Sequence, residues 1–156
     1  MTAEQRLKAL GIVLPTAAAP VANYVPTMRS GSLLFVSGQV AFGPDGKIDA
    51  RHRGKLGAEI FNEAGLEAAR LCGINVLAQV RAAIGSLDHV TRCVRLGGFI
   101  NSAPDFQALA AIMNGASDLM VAVFGEAGRH ARSTVGVAQL PLDSAVEVEA
   151  IFEVRE

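Results

Sequence analysis

The stretch Arg132-Ser133-Thr134-Val135-Gly136-Val137-Ala138-Gln139-Leu140-Pro141-Leu142-Asp143-Ser144-Ala145-Val146-Glu147-Val148-Glu149-Ala150-Ile151-Phe152-Glu153-Val154 decides how this chain folds. In its second half Val146, Val148, Ala150, Phe152 and Val154 alternate with Glu147, Glu149, Ile151 and Glu153. That two-residue period belongs to a strand with one buried and one open face. Residues 132–140 form a second apolar run, and Pro141-Leu142-Asp143-Ser144 between them has the composition of a turn. The last third of the chain is therefore β.

Upstream, the period changes. Leu56, Ile60, Ala64, Ala68, Cys72, Val76, Val80 and Ile84 make one i, i+4 row, with Glu59, Asn62, Glu63, Glu67 and Arg70 opposite, so 56–84 reads as an amphipathic helix ended by Gly85. Gly65 and Gly73 each cost about 1 kcal/mol there relative to Ala, which suggests close approach to a sheet. A second helix is expected over 104–124, opened by Ser102-Ala103-Pro104-Asp105, with Asn114-Gly115 a place where it could divide. Strands are expected over 23–28, 33–41 and 90–100, with turns at Arg29-Ser30-Gly31-Ser32 and Gly43-Pro44-Asp45-Gly46. A short helix over 2–10, with Thr2 and Gln5 spaced as a capping box, precedes a Pro15–Pro20 linker. Strands separated by helices give an α+β fold, a mixed β-sheet with two main helices packed on one face. Residues 1–156 read as one domain, of which 1–20 are the N-terminal helix and linker.

Composition removes several function classes. Fourteen basic against 15 acidic residues leave a net charge of −1, so there is no electrostatic footprint for DNA or an anionic membrane. No run reaches the roughly 18 apolar residues of a membrane span. The apolar run 10–14 stops at Pro15 and is preceded by Glu4, unlike a secretory signal, so a cytoplasmic protein is expected. Cys72 and Cys93 lie in apolar stretches and read as buried reduced thiols. His52, His89 and His130 share no metal spacing, and no metal is expected. His52, between Arg51 and Arg53, reads as exposed, His89 as part of a turn, and His130 is a candidate by position alone. Phosphate-loop, dinucleotide-binding, nucleophile-elbow and zincin motifs are missing.

Three places could carry chemistry. Ser37-Gly38-Gln39 interrupts an apolar strand, and such polar groups must be hydrogen-bonded or face a cavity. Arg132 opens a strand with a planar, permanently charged fork suited to a carboxylate. Glu147 shares a face with Glu149, which is either a solvated surface or, inside a pocket, an acid/base position.

At these residues the sequence resembles the RidA/YjgF family, also known as L-PSP endoribonuclease-like proteins. The likeness rests on residues 132–141 followed by Val146-Glu147-Val148-Glu149-Ala150-Ile151, and independently on Tyr24, Gly31 and Leu34-Phe35-Val36-Ser37-Gly38-Gln39. It covers residues 20–154. The resemblance implies a chorismate-mutase-like fold and a homotrimer with sites between subunits. It also implies cofactor-free hydrolysis of enamines and imines such as 2-aminoacrylate and 2-iminopropanoate to 2-oxo acids and ammonia. By position, Arg132 would bind the substrate carboxylate and Glu147 would activate water, while Tyr24, Ser37, Gly38 and Thr134 would line the pocket. The chain departs from the pattern at Val25, Pro26 and Thr134 and in a longer second helix, which suggests a divergent longer-chain subgroup. Ala110 falls where members carry a pocket Asn, a role Asn114 would take if the insertion shifts it.

A plain hairpin of the last two strands would set Arg132 and Glu147 roughly 20 Å apart, too far for one small ligand. Either the final strand inserts elsewhere in the sheet or the site spans subunits. Two other functions fit the pattern: a non-catalytic trimeric binder of small carboxylic acids, and the ribonuclease of the family's older name. The near-neutral charge and single Tyr supply little for phosphate contacts or base stacking.

Overall fold

The computed structural model describes residues 1–20 and 22–156. Its strands are β1 (Thr27–Ser30), β2 (Leu33–Val40), β3 (Val90–Asn101), β4 (Ala131–Val137) and β5 (Val146–Val154), and its helices α1 (Ala3–Ala9), α2 (Asn62–Ile84) and α3 (Leu109–Phe124). The sheet order is β1-β2-β5-β3-β4. β3 and β4 are parallel and every other pairing is antiparallel. A parallel pair needs a crossover, and α3 supplies it.

The alternation of β5 is realised residue by residue: Val146, Val148, Ala150, Phe152 and Val154 are buried, while Glu147, Glu149, Ile151 and Glu153 are half-buried. α2 lies over β2 and β5, and α3 over β3 and β4. Phe152 sits at the centre of this layer, its ring 5.9 Å from that of Phe124. Among the described residues the opposite face carries no helix, and it leaves Met28, Phe35 and Val135 exposed.

Where the elements differ from expectation, the causes are local. α2 begins at Asn62 rather than Leu56. Gly57 adopts φ 81°, and Leu56 instead bonds to the end of β3 and the segment beyond it, donating to Asn101 O at 2.9 Å and accepting from Ala103 N at 2.9 Å. Leu56 and Ile60 are apolar because they are buried, not because they are helical. α3 begins at Leu109 and passes unbroken through Asn114-Gly115. Gly115 is needed there, since a Cβ would run into the Leu66 carbonyl of α2. Gly73 likewise faces Leu119 of α3 rather than the sheet, and Gly65 faces Leu56 and then Ile112 of α3. β1 covers Thr27–Ser30 and not 23–28, because Pro26 has no N–H for a ladder and the turn shrinks to Gly31-Ser32, with Gly31 at φ 59°.

His52 is a further correction. It is 2% exposed, folded back on α2 with Nε2 3.0 Å from Glu67 Oε2. At the N-terminus the capping box forms: Thr2 Oγ1 accepts from Gln5 N at 3.3 Å and Gln5 Oε1 from Thr2 N at 2.9 Å. Glu4 anchors α1 to the end of α2 through Arg81 at 2.6 Å. Cys72 and Cys93 are buried and free; burial pushes the Cys93 thiol up to about 12. By length and composition the helical stretch Leu109–Gly128 could cross a membrane. It is a core helix: Ile112, Met113, Ala116, Leu119, Met120 and Val123 turn inward.

Candidate functional site

The final strand does insert elsewhere. β5 lies between β2 and β3, and β4 is the sheet edge beyond β3. Leu96 of β3 pairs with Ala150 on one side and Arg132 on the other, while Phe99 pairs with Glu147. Two strand spacings and three residues of rise put the Arg132 and Glu147 backbones roughly 14 Å apart. Their side chains are further separated by direction. Directly opposed residues share a face, so Arg132 and Thr134 follow Leu96 and Gly98 to the helix side, where a Cβ on Gly98 would press on Met113 of α3. Glu147 follows Phe99 to the open side. Within one chain the structure does not bring Arg132 and Glu147 together.

On the helix side, Arg132 is gripped by α3. Its Nη1 donates to Asn114 Oδ1 at 2.8 Å and Ser117 Oγ at 3.1 Å, and its Nη2 to the Ala110 carbonyl at 3.3 Å. Both positions at issue in the longer helix thus hold the arginine, Ala110 by its backbone and Asn114 by its side chain. Ser117 in turn lies 2.8 Å from His130 Nε2, and His130 Nδ1 is 2.6 Å from the Gly128 carbonyl. Thr134, beside this cluster, buries an Oγ1 that has no partner among the described residues.

Glu147, on the open side, lines a cleft of about 630 Å³ with Gly38 and Tyr24; the cleft is walled by Pro15, Pro20, Pro44 and Pro141 and extends to Asn75 and Gln79 of α2. Val36 pairs with Ala150 and Gln39 with Val148, so Ser37 and Gly38 together oppose Glu149 as a bulge. That bulge makes room for the acid, because a Cβ on Gly38 would collide with the Glu147 carboxylate. Burial, and secondarily the negative charge of Glu149, raises the Glu147 pKa from its ordinary value. Ser37 Oγ donates to Val25 O at 2.8 Å, so this hydroxyl secures the Tyr24 segment. Ser37 and Tyr24 also line an adjoining hollow of about 650 Å³ with Arg95 and Glu149, an ion pair at 3.7 Å. Gln79 ties the linker to the bulge, donating to Ala18 O at 2.7 Å and Gln39 Oε1 at 3.4 Å. Leu142 and Asp143, at φ 56° and 57°, store strain at the cleft mouth. Asn101 braces that turn through Asp143 Oδ1 at 3.0 Å and Ser144 O at 3.2 Å.

Ser117, Gln79, Arg95 and the Ala110 carbonyl were missed by sequence reasoning. Ser117 alone left a signal, the i, i+4, i+7 spacing of Ala110, Asn114 and Ser117 that places them on one helix face. No three His, Cys, Asp or Glu side chains among the described residues are grouped as metal ligands.

Residues 4–154 match the family described as "YjgF/chorismate_mutase-like, putative endoribonuclease". Protein TCP17 of Trypanosoma cruzi is 50% identical over 96% of this chain and 92% of its own length. The 2-iminobutanoate/2-iminopropanoate deaminase of Dermatophagoides farinae is 29% identical, over 92% and 95%. Among solved structures, Atu1372 from Agrobacterium tumefaciens, of unknown function, superposes with a TM-score of 0.90 at 45% identity, covering 98% of this chain and 92% of its own. Escherichia coli TdcF, solved with bound serine, has a TM-score of 0.65 at 30% identity, covering 90% and 94%.

Proposed function

Because this chain belongs to the YjgF/chorismate mutase-like family, we propose that it is an imine deaminase, hydrolysing 2-imino acids such as 2-iminopropanoate to 2-oxo acids and ammonia at a site shared by two copies of the chain. The observation that carries the shared site is the placement of Arg132 and Glu147 on opposite faces of one sheet. Each chain contributes two half-sites, an arginine at its β4 edge and an acid in the cleft beside Gly38. Stacking a neighbour's arginine edge over the uncovered sheet face would bring them together and cover Met28, Phe35 and Val135. A closed ring of three such head-to-tail contacts is the assembly proposed.

The chemistry follows. Arg132 binds the carboxylate of the imino acid, which orients the C=N carbon over Glu147. Glu147 accepts a proton from water as its oxygen bonds to that carbon, and the C=N π pair moves to nitrogen, which takes up a proton. The carbinolamine then expels ammonia as the C=O bond forms. Burial raises the Glu147 pKa from its ordinary value, the direction that strengthens a carboxylate as a proton acceptor. Gly38 and Tyr24 shape the cleft around Glu147. Thr134 lies beside Arg132, and Ser37 acts by holding the Tyr24 segment. No cofactor takes part. A cytoplasmic setting is part of this reading, supported by the two buried free thiols.

The name of the mite relative and the serine in TdcF support a small amino-acid-derived ligand. The serine also favours a second reading, a carboxylic-acid binder without turnover. The deciding experiment measures ammonia and 2-oxo acid released from dehydratase-generated 2-aminoacrylate, with wild type and Arg132→Ala. Acceleration by the wild type that Arg132→Ala removes is expected. A folded protein that gives no acceleration, yet is thermally stabilised by serine or pyruvate, would replace the enzyme by the binder.

A further inference from the structure

The geometry points to His130 as a positioning residue for Arg132, acting through Ser117, so that the arginine presents one fixed edge to a carboxylate. This rests on the reading of Arg132 as the carboxylate clamp. A guanidinium has five N–H donors. Three are taken by successive turns of one face of α3: both on Nη1, by Asn114 Oδ1 and Ser117 Oγ, and one on Nη2, by the Ala110 carbonyl. The Nε–H has no partner among the described residues, and the edge it forms with Nη2 is the one a carboxylate can take side-on. The helix therefore fixes both the plane of the fork and the edge left open.

Ser117 can serve this purpose only if its hydroxyl proton points away from the arginine. His130 enforces that. The Gly128 carbonyl accepts only, so at 2.6 Å His130 Nδ1 must carry a proton. In the neutral ring Nε2 is then an acceptor, and at 2.8 Å it takes the Ser117 O–H. The Ser117 lone pairs are left to face Arg132 Nη1 at 3.1 Å. The order is a relay, from the Gly128 carbonyl through the imidazole and the hydroxyl to the guanidinium. Without the imidazole the hydroxyl is free to rotate, its proton can turn toward a permanent cation, and the fork loses its anchor at one corner.

The test uses equilibrium binding of pyruvate and of its neutral amide, so it needs no turnover. Wild type should prefer the carboxylate, and Arg132→Ala should erase that preference. Ser117→Ala and His130→Asn should each cut it at least about fivefold, the scale of a hydrogen bond to a charged group. His130→Asn retains a donor for Gly128 and nothing for Ser117, whereas His130→Gln can place an amide oxygen near the Nε2 position and should restore the preference. A role confined to holding the Gly128 loop predicts the reverse, with Asn tolerated and Gln not, and that result would overturn the inference. So would full preference in Ser117→Ala when Arg132→Ala has lost it. A preference that survives Arg132→Ala, or none in the wild type, would instead remove the clamp reading on which the relay stands. Circular dichroism of each variant separates unfolding from loss of positioning.

Discussion

On the proposed mechanism, Glu147 trades stability for chemistry. Its pKa is raised by burial first and by Glu149 second, so the folded protein holds the proton more tightly than the unfolded chain does. The cost of ionising it in the fold is therefore present above its folded pKa and absent below the unfolded value of 4.5. Glu147→Gln should accordingly raise Tm at pH 7, leave it unchanged at pH 4, and abolish imine hydrolysis. Thermal melts at the two pH values together with an ammonia assay check this, and an equal rise at both would remove burial of the charge as the cause. Arg132 tests the geometry of the fork rather than its charge. Arg132→Lys keeps the cation but cannot satisfy three acceptors on α3 and a carboxylate at once. It should raise KM for the imino acid about tenfold or more, the scale set by a charge-assisted hydrogen bond, with a smaller change in kcat. Both were candidates in the sequence, Arg132 as a charged fork opening an apolar strand and Glu147 as an acid on the open face of an alternating one. Their separation was not legible, since it depends on which strands are neighbours.

At the scale of elements, the contact between α2 and α3 sets where the arginine half-site lies. Gly65, Gly73 and Gly115 let the helices approach until Gly115 lies beside the Leu66 carbonyl, and Asn114 and Ser117 are carried on α3 at that crossing. The sequence showed glycines that were costly for a helix, but a glycine does not announce whether a sheet or a second helix requires the space. Gly115→Ala adds a methyl group against backbone, which cannot rotate away. Overpacking of this kind costs about 1–3 kcal/mol, set against about 1 kcal/mol of better helix propensity. We expect Tm to fall by about 2–4 °C for each net kcal/mol lost, and carboxylate affinity to fall with it as Arg132 loses register with Asn114. A melt paired with pyruvate binding would show this, and an unchanged affinity at a lowered Tm would uncouple the crossing from the site. The early start expected for α2 has the same lesson. Leu56 and Ile60 continue the i, i+4 row, yet Gly57 at φ 81° turns them into a buried loop.

For the whole molecule, the proposed assembly makes the strongest demand. Sedimentation should give three times the chain mass of 16.3 kDa, and Phe35→Glu, on the open face, should lower that mass and the activity together while secondary structure persists. Arg132→Ala and Glu147→Gln chains should each be inactive alone. Refolded together, they should regain about a quarter of wild-type activity, because in a ring of randomly mixed chains one contact in four joins an intact arginine to an intact acid. No recovery would place the site within one chain. The sequence by itself determined the order and kind of the elements, the buried face of β5 and the candidacy of Arg132 and Glu147, because periodicity and residue type are local properties of the chain. Only the tertiary structure decided that β5 enters between β2 and β3, that Arg132 and Glu147 point to opposite faces, and that Ala110, Asn114, Ser117 and His130 converge on the arginine. Those facts depend on sheet order and helix crossing, which are set by packing between segments far apart in the chain.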